Sequence, residues 1–331
     1  MSDVNRTLAR SIPETEIHDD ADLLTRLEQR LGFVHARQRL GIEQDHAQRV
    51  FGGGGINFFH PENWYSMQTL MRWTFKLAGM YEWGRRNARN IQVIHNPVRH
   101  RKIPAAFKGF RLLHLTDLHV DMDEAITARL LEITGSLEYD LCVITGDYRA
   151  QTYGPEEGAL EGMRRLRERL RGEAYAIFGN HDSIRMLPPL EDMGYRMLMN
   201  ESALIDRGGE KIQIVGVDDP HYYRVDNLQM AAQGLDLSCY TLLLSHTPEI
   251  FKQAAHAGMD LMLCGHTHGG QVCLPGGTAI TLDSDCPRFV GRGNWRWRDM
   301  DGYTSTGAGS SLLPVRFNCP PEVVVHTFYP G

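Results

Sequence analysis

Five short apolar runs, each ending abruptly in titratable side chains, limit what this chain can become. Arg111–Thr116 ends in Asp117-Leu118-His119, Leu141–Thr145 in Gly146-Asp147, and Ala174–Phe178 in Gly179-Asn180-His181-Asp182. Tyr240–Ser245 ends in His246, and Asp260–Cys264 in Gly265-His266-Thr267-His268-Gly269-Gly270. Short apolar runs bounded by turn residues read as strands buried on both faces. A His-x-His on its own is a weak motif, equally compatible with a strand edge carrying two satisfied histidines. In sheets flanked by helices, however, ligands bind beyond the carboxyl ends of the strands. If these strands share sheets, their polar tips meet in one crevice. A purely structural explanation would need five separate coincidences, because buried polar groups without partners are costly.

Helical patterns fill the intervals at 125–137, 158–171, 187–194 and 248–257. A hairpin is expected from Ala203–Asp206 and Lys211–Val217 through Arg207-Gly208-Gly209, and a last strand at Glu322–Phe328. The first hundred residues have a different texture. Residues 1–20 read as a loose terminus, and 21–50 as an amphipathic helix broken near Gly32 or Gly41. Gly52–Gly55 reads as a turn. Residues 64–83 form an aromatic helix that is apolar on several sides, and Gly84–Lys102 holds six Lys and Arg with no acid. Two readings compete for 64–102. One is a helix packed on the main domain, followed by a solvated basic strand or loop. The other is an interfacial anchor with aromatic rings at headgroup depth, making peripheral membrane contact. The chain divides into an N-terminal helical extension, 1–105, and a main domain, 106–331.

The composition, 42% apolar and 23% charged, is that of an ordinary globular protein. A net charge of −6 gives no reason to expect a nucleic-acid duplex as partner. The six cysteines include no Cys-x-x-Cys pair and read as reduced. With no apolar signal core and no run of about 18 apolar residues, the expected location is cytoplasmic, at most peripheral on the inner face of the membrane.

The ordered set Asp117-Leu118-His119, Gly146-Asp147, Gly179-Asn180-His181-Asp182, His246 and Gly265-His266-Thr267-His268 closely resembles the calcineurin-like metallophosphoesterase family. The match spans roughly 110–330 (by inspection of these motifs). The stretches GHTHGGQ (265–271) and LPVRFNCPPE (313–322) further resemble one bacterial branch, which includes phosphodiesterases and a pyrophosphatase of lipid A synthesis. The resemblance implies an α/β fold: a four-layer α/β/β/α sandwich of two mixed sheets flanked by helices, here with the N-terminal helical extension. It implies two divalent metal ions. Asp117, His119 and His268 would hold one, Asp147 would bridge, and Asn180, His246 and His266 would complete the second. Such a mixed donor set suits Mn, Fe or Zn without choosing among them. His181 would contact the scissile phosphate or protonate the leaving oxygen, with Asp182 orienting its ring. Asp182 could equally cap the residues after it.

The implied activity is hydrolysis of a phosphodiester or pyrophosphate by in-line attack of a metal-activated water, on a substrate that could be nucleotide- or lipid-linked. Alternatives are a phosphomonoesterase, and an idle scaffold that should have lost ligands, as this chain has not. Substrate contacts fall to Arg149, through a bidentate fork or else a plain salt bridge, and to His221 in a cluster with Asp218 and Asp219 that also reads as a turn. His114 reads as a packed core histidine. Trp295-Arg296-Trp297-Arg298 reads as a packed loop, or as a stacking surface for a base or sugar.

Overall fold

The computed structural model describes residues 14–51 and 65–331. The expected turn at Gly52–Gly55, and Trp64, lie outside those residues. Two sheets of six strands face each other. The first runs β1 (Gln92–His100), β12 (Glu322–Pro330), β2 (Arg111–Leu115), β3 (Leu141–Ile144), β4 (Ala174–Ala176), β5 (Arg196–Met197). The second runs β10 (Gly293–Trp297), β11 (Met300–Thr304), β9 (Leu261–Cys264), β8 (Tyr240–Leu244), β7 (Glu210–Gly216), β6 (Glu201–Arg207). Both are mixed: β2 to β5 are mutually parallel, while β12 runs antiparallel to β2. In the second, β7, β8, β9 and β11 are parallel, and antiparallel β6 and β10 close the edges.

Period-two alternation explains why these strands are apolar throughout. Leu112, Val143, Tyr175, Ile214, Leu242 and Leu263 point between the sheets into one core. Their neighbours Leu113, Cys142, Ile144 and Ala174 point outward beneath α5 (Glu124–Ser136), α6 (Glu157–Arg167) and α7 (Leu187–Asp192). On the second sheet, Val215, Leu243 and Met262 pack outward with Ala231 of α8 (Leu228–Ala231) and Phe251 and Ala254 of α9 (Phe251–His256). The result is the expected four-layer sandwich, with every apolar strand face covered.

The N-terminal extension forms α1 (Glu14–Leu31), α2 (Phe33–Phe51), α3 (Tyr65–Leu77) and α4 (Tyr81–Arg89). Helix α1 begins inside the stretch read as a loose terminus. The break falls at Gly32, where φ is +82°, and Gly41 stays helical. Leu27, Leu31 and Ala36 join the core under α7. Residues 92–100 are no solvated loop: β1 pairs in parallel with β12 from Gln92 opposite Glu322 to His100 opposite Pro330. This strand lies N-terminal to the 105/106 boundary drawn from the sequence. As an edge strand it buries Asn96 and Val98 while Arg99 faces solvent, so its pattern lacks the apolar run of the central strands. The Trp295–Arg298 segment forms the β10–β11 hairpin, with Trp295 buried and its Nε1–H donated to Thr304 Oγ1 at 2.9 Å.

Candidate metal centre

All five strands deliver their tips to the seam between the two sheets, β2, β3 and β4 from one side and β8 and β9 from the other. The chain turns sharply as it leaves them. Asp117, His119, Asp147, His266 and His268 all have φ between +41° and +69°, a left-handed conformation uncommon for residues with a Cβ. Such a concentration marks a functional constraint rather than a packing accident. Hydrogen bonds over-determine it: Asp117 accepts the His266 N–H at 3.0 Å, and the N–H groups of Leu118 and His119 go to the Asp147 carbonyl. Gly265 is required here, because a Cβ would overlap Thr116 and the Asp117 carboxylate.

Two groups of buried donors result. Asp117, His119 and His268 offer ligand atoms within 4.8 Å of one another, and so do Asp147, His246 and His266. The adjacent histidines of the His-x-His stretch therefore diverge, one to each group. Asp147 Oδ2 sits between the groups, 3.3 Å from His246 Nε2 and 3.9 Å from His119 Nε2. Asn180 Oδ1 adds a further oxygen 2.9 Å from His246 Nε2.

The surroundings fix which nitrogens are available. His119 Nδ1 lies 2.7 Å from the Arg149 carbonyl and His246 Nδ1 2.7 Å from the Thr145 carbonyl. A carbonyl only accepts, so each Nδ1 carries a proton and each Nε2 is the nitrogen aimed at the cluster. His119 Nε2 then faces His268 Nε2 at 3.2 Å, and His246 Nε2 faces two acceptor oxygens. Nitrogens and oxygens brought this close are held together by a proton or by a cation between them. Carboxylate, imidazole and amide donors without thiolate are the chemistry of a divalent transition ion, so the residues fit one.

Charge follows the same logic. Burial pushes Asp117 up to about 6, helped by neighbouring Asp147. Burial works against the charged form of His246 too, yet Asp147 beside it wins and pushes that imidazole up to about 10. Asp147 itself is held well below the usual carboxylate range, against its burial, by His246, His181 and His119. Burial keeps His119, His266 and His268 below the ordinary histidine value, so these rings stay neutral and able to ligate.

His181 lies at the edge of the cluster. Its backbone N–H donates to Asp147 Oδ1 at 2.9 Å, its ring is 5.1 Å from that of His119, and its Nδ1 has no partner among the described residues. Asp182 does not orient this ring. Its Oδ2 accepts the N–H groups of Asp147 (2.7 Å) and Gly179 (2.9 Å), and its Oδ1 that of Tyr148 (2.8 Å). It ties two strand tips together, and its pKa is pushed up to about 6 by burial and then by Asp147. The helix cap belongs to Ser183, which accepts the Arg185 N–H. Arg149 has no fork to offer a phosphate, because its guanidinium donates to the carbonyls of His181, Thr152 and Gly154. It holds the His181 loop instead. His221 remains close, its ring 4.4 Å from that of His266 and its Nδ1 2.9 Å from Glu249. Asp219 caps the turn around it through the N–H groups of His221, Tyr222 and Tyr223.

Two buried arginines complete the site's support, and sequence reading assigned neither. Arg316 is fully buried behind His268, with Nη2 3.1 Å from His268 Nδ1, and donates to the carbonyls of His268, Thr306 and Gly309. It sits inside LPVRFNCPPE, so the signal was present without its meaning. Arg39 of α2 donates to the Asp182 carbonyl at 2.8 Å and pairs with Glu43, while Glu43 also accepts the Ile184 N–H at 2.7 Å. A cavity of about 270 Å³ opens over Asp147, His181, His266 and His268. No helix among the described residues is long and apolar enough to cross a membrane.

Comparison with known proteins agrees with this geometry. Residues 110–270 match the profile of the calcineurin-like phosphoesterases. YkoQ of Bacillus subtilis, an uncharacterized metallophosphoesterase, is 28% identical over 251 residues, covering 73% of this chain and 92% of its own. YkuE of the same organism, also an uncharacterized metallophosphoesterase, is 28% identical over 72% of this chain and 85% of its own. The phosphodiesterase YaeI of Escherichia coli is 28% identical over 69% of this chain and 86% of its own. The matching profile falls on the strands and tips that build the two donor groups, and residues 110–270 form a calcineurin-like phosphoesterase domain.

Proposed function

We propose that the chain is a dinuclear metal-dependent phosphoesterase that cleaves a phosphodiester or pyrophosphate by in-line attack of an activated water. The observation that carries this reading is the convergence of both donor groups on the Asp147 carboxylate. In it, Asp117, His119 and His268 would hold one divalent cation, Asn180, His246 and His266 would hold another, and Asp147 would serve both. Bound there, the cations supply Lewis acidity and a water of lowered pKa. The remaining work falls to the chain. His181, with its free Nδ1 and its backbone tied to Asp147, delivers a proton to the leaving oxygen. Asp182 and Arg149 keep His181 and Asp147 at a fixed spacing through their backbone contacts. His221 lies where it can touch a phosphate oxygen beside His266.

A diester preference is supported by the likeness to YaeI, whose name records that activity. The test is the purified chain loaded with Mn, assayed against bis(p-nitrophenyl) phosphate and p-nitrophenyl phosphate, with and without chelator. The reading expects chelator-sensitive turnover and at least about tenfold faster cleavage of the diester. Faster cleavage of the monoester would replace the diesterase reading with the phosphomonoesterase one. His181→Ala should keep its metal and lose roughly 10²- to 10⁴-fold in kcat, the usual size of a general acid's contribution. A parent-like rate would remove His181 from the mechanism.

A further inference from the structure

Helix α3 does more than pack on the domain, because it forms part of the wall of the metal-site cavity. Met71 and Phe75, one turn apart on one face, line the same cavity as Asp147, His181, His266 and His268. Val272, Leu313 and Val315 continue that wall, with Ile280 at the rim, 55% exposed. The same apolar residues form a small cluster of their own with Phe317, whose ring stacks on Phe75 at 5.4 Å. A site for a small hydrophilic phosphate needs no such wall. One end of this cavity is built for a phosphoryl group and the other for hydrocarbon.

The rest of α3 fits the same use. Leu70, Trp73 and Leu77, at i, i+3 and i+7, are 62%, 58% and 84% exposed. Arg72 and Lys76 are exposed beside them and line the neighbouring polar cleft. A helix with one apolar face toward the cavity, one toward solvent and cations flanking both suits contact with an anionic amphiphile.

We propose that the phosphoester taken by this site carries a hydrocarbon group, seated on the continuous apolar wall that Met71 and Phe75 of α3 form with Val272, Leu313 and Val315. The proposal rests on the hydrolase reading above and names its substrate class. Water oxygen adds to phosphorus, the bond to the leaving oxygen breaks, and that oxygen takes a proton, while the hydrocarbon keeps its place.

The experiment uses the full chain loaded with Mn and the methyl, hexyl and decyl p-nitrophenyl phosphodiesters, all as monomers in solution. Each buried methylene is worth roughly a factor of four, so kcat/KM should climb from methyl to hexyl and further to decyl. The ratio of decyl to methyl should fall about tenfold in Ile280→Asn, a rim substitution the fold tolerates, and in Met71→Gln. Equal kcat/KM for the three esters would overturn the proposal and leave the hydrolase reading standing. A rise that both variants leave untouched would overturn its placement on this wall. Failure of the parent chain to cleave any of the three, or bis(p-nitrophenyl) phosphate, would overturn the hydrolase reading and this proposal with it. A further arm compares decyl ester as monomer with decyl ester in phosphatidylglycerol vesicles. Faster turnover from vesicles that vanishes at high salt identifies a bilayer as the source. Equal or slower turnover identifies a free amphiphile, with the chain-length dependence still deciding the class.

Discussion

The strand-tip cluster and helix α2 approach the same loop, 179–184, from opposite sides and hold it by different physics. On the cluster side the contacts are carboxylates accepting backbone N–H groups over short distances, as Asp182 does for Gly179, Asp147 and Tyr148. On the α2 side they are long-range and ionic. Arg39, fully buried, reaches the Asp182 carbonyl, lies near Asp218 and sits over the Tyr223 ring, while Glu43 takes the Ile184 N–H. The first set builds a centre fit to hold a cation. The second set fixes where loop 179–184 stands beside that centre. Removing one side should therefore abolish chemistry, and removing the other should abolish stability first.

The largest expected effect is on the cluster side. Asp147→Ala removes the one carboxylate both donor groups share, so activity should fall on the order of 10⁴-fold or more, together with bound metal. Metal content by elemental analysis and kcat on a diester check this. Full metal occupancy with lost activity would separate the two functions assigned to this residue. On the α2 side, Arg39→Met takes a buried guanidinium away from half-buried Glu43 and from buried Asp218, to which His35 remains a neighbour at 2.9 Å. The expected cost is about 3–5 kcal/mol in urea unfolding, with metal still bound by the folded fraction. A small cost and an intact urea midpoint would mean that α2 merely leans on the loop.

The comparison also shows what the sequence could reveal. Strand tips such as Gly265-His266-Thr267-His268 advertise their chemistry within a few residues, because the turn, the glycine and the ligand are neighbours in the chain. The seven candidate ligands lie together at the strand tips, and the layered fold is the one that the family resemblance implied. The ring-orienting reading of Asp182 and the fork reading of Arg149 fail because their main partners are backbone groups, which no side-chain pattern encodes, while the salt-bridge reading of Arg149 finds Glu156 at 3.6 Å. Arg39 and Arg316 were missed because a lone arginine in a helix or loop gives no hint that it will be buried. For β1 the sequence leaves a solvated strand and a loop both open, because an edge strand exposes half its residues and pairs with the far end of the chain.

A smaller effect tests the scaffold beneath the tips. His114, buried under them with Nε2 2.9 Å from Thr145 Oγ1, has its pKa lowered to about 3 by burial. His326 stacks on it at 5.6 Å and is also held well below its ordinary value by burial and by His114. For a group whose folded pKa is depressed, the stabilisation is present above the unfolded value near 6.5 and is lost as pH falls toward about 3. Urea midpoints between about pH 7 and about pH 4 should fall by an amount worth on the order of a few kcal/mol, and His114→Gln should flatten part of that slope. An unchanged slope would mean that these rings are not the acid-sensitive element.

The central claim is that two cations share Asp147, each gripped by one histidine of the pair His266 and His268. Anomalous diffraction from crystals grown with Mn tests it directly. The account predicts two peaks roughly 3.5–4 Å apart, one beside Asp117, His119 and His268, the other beside Asn180, His246 and His266. A single peak contacted by both His266 and His268, or two peaks with Asp147 touching only one, would contradict it.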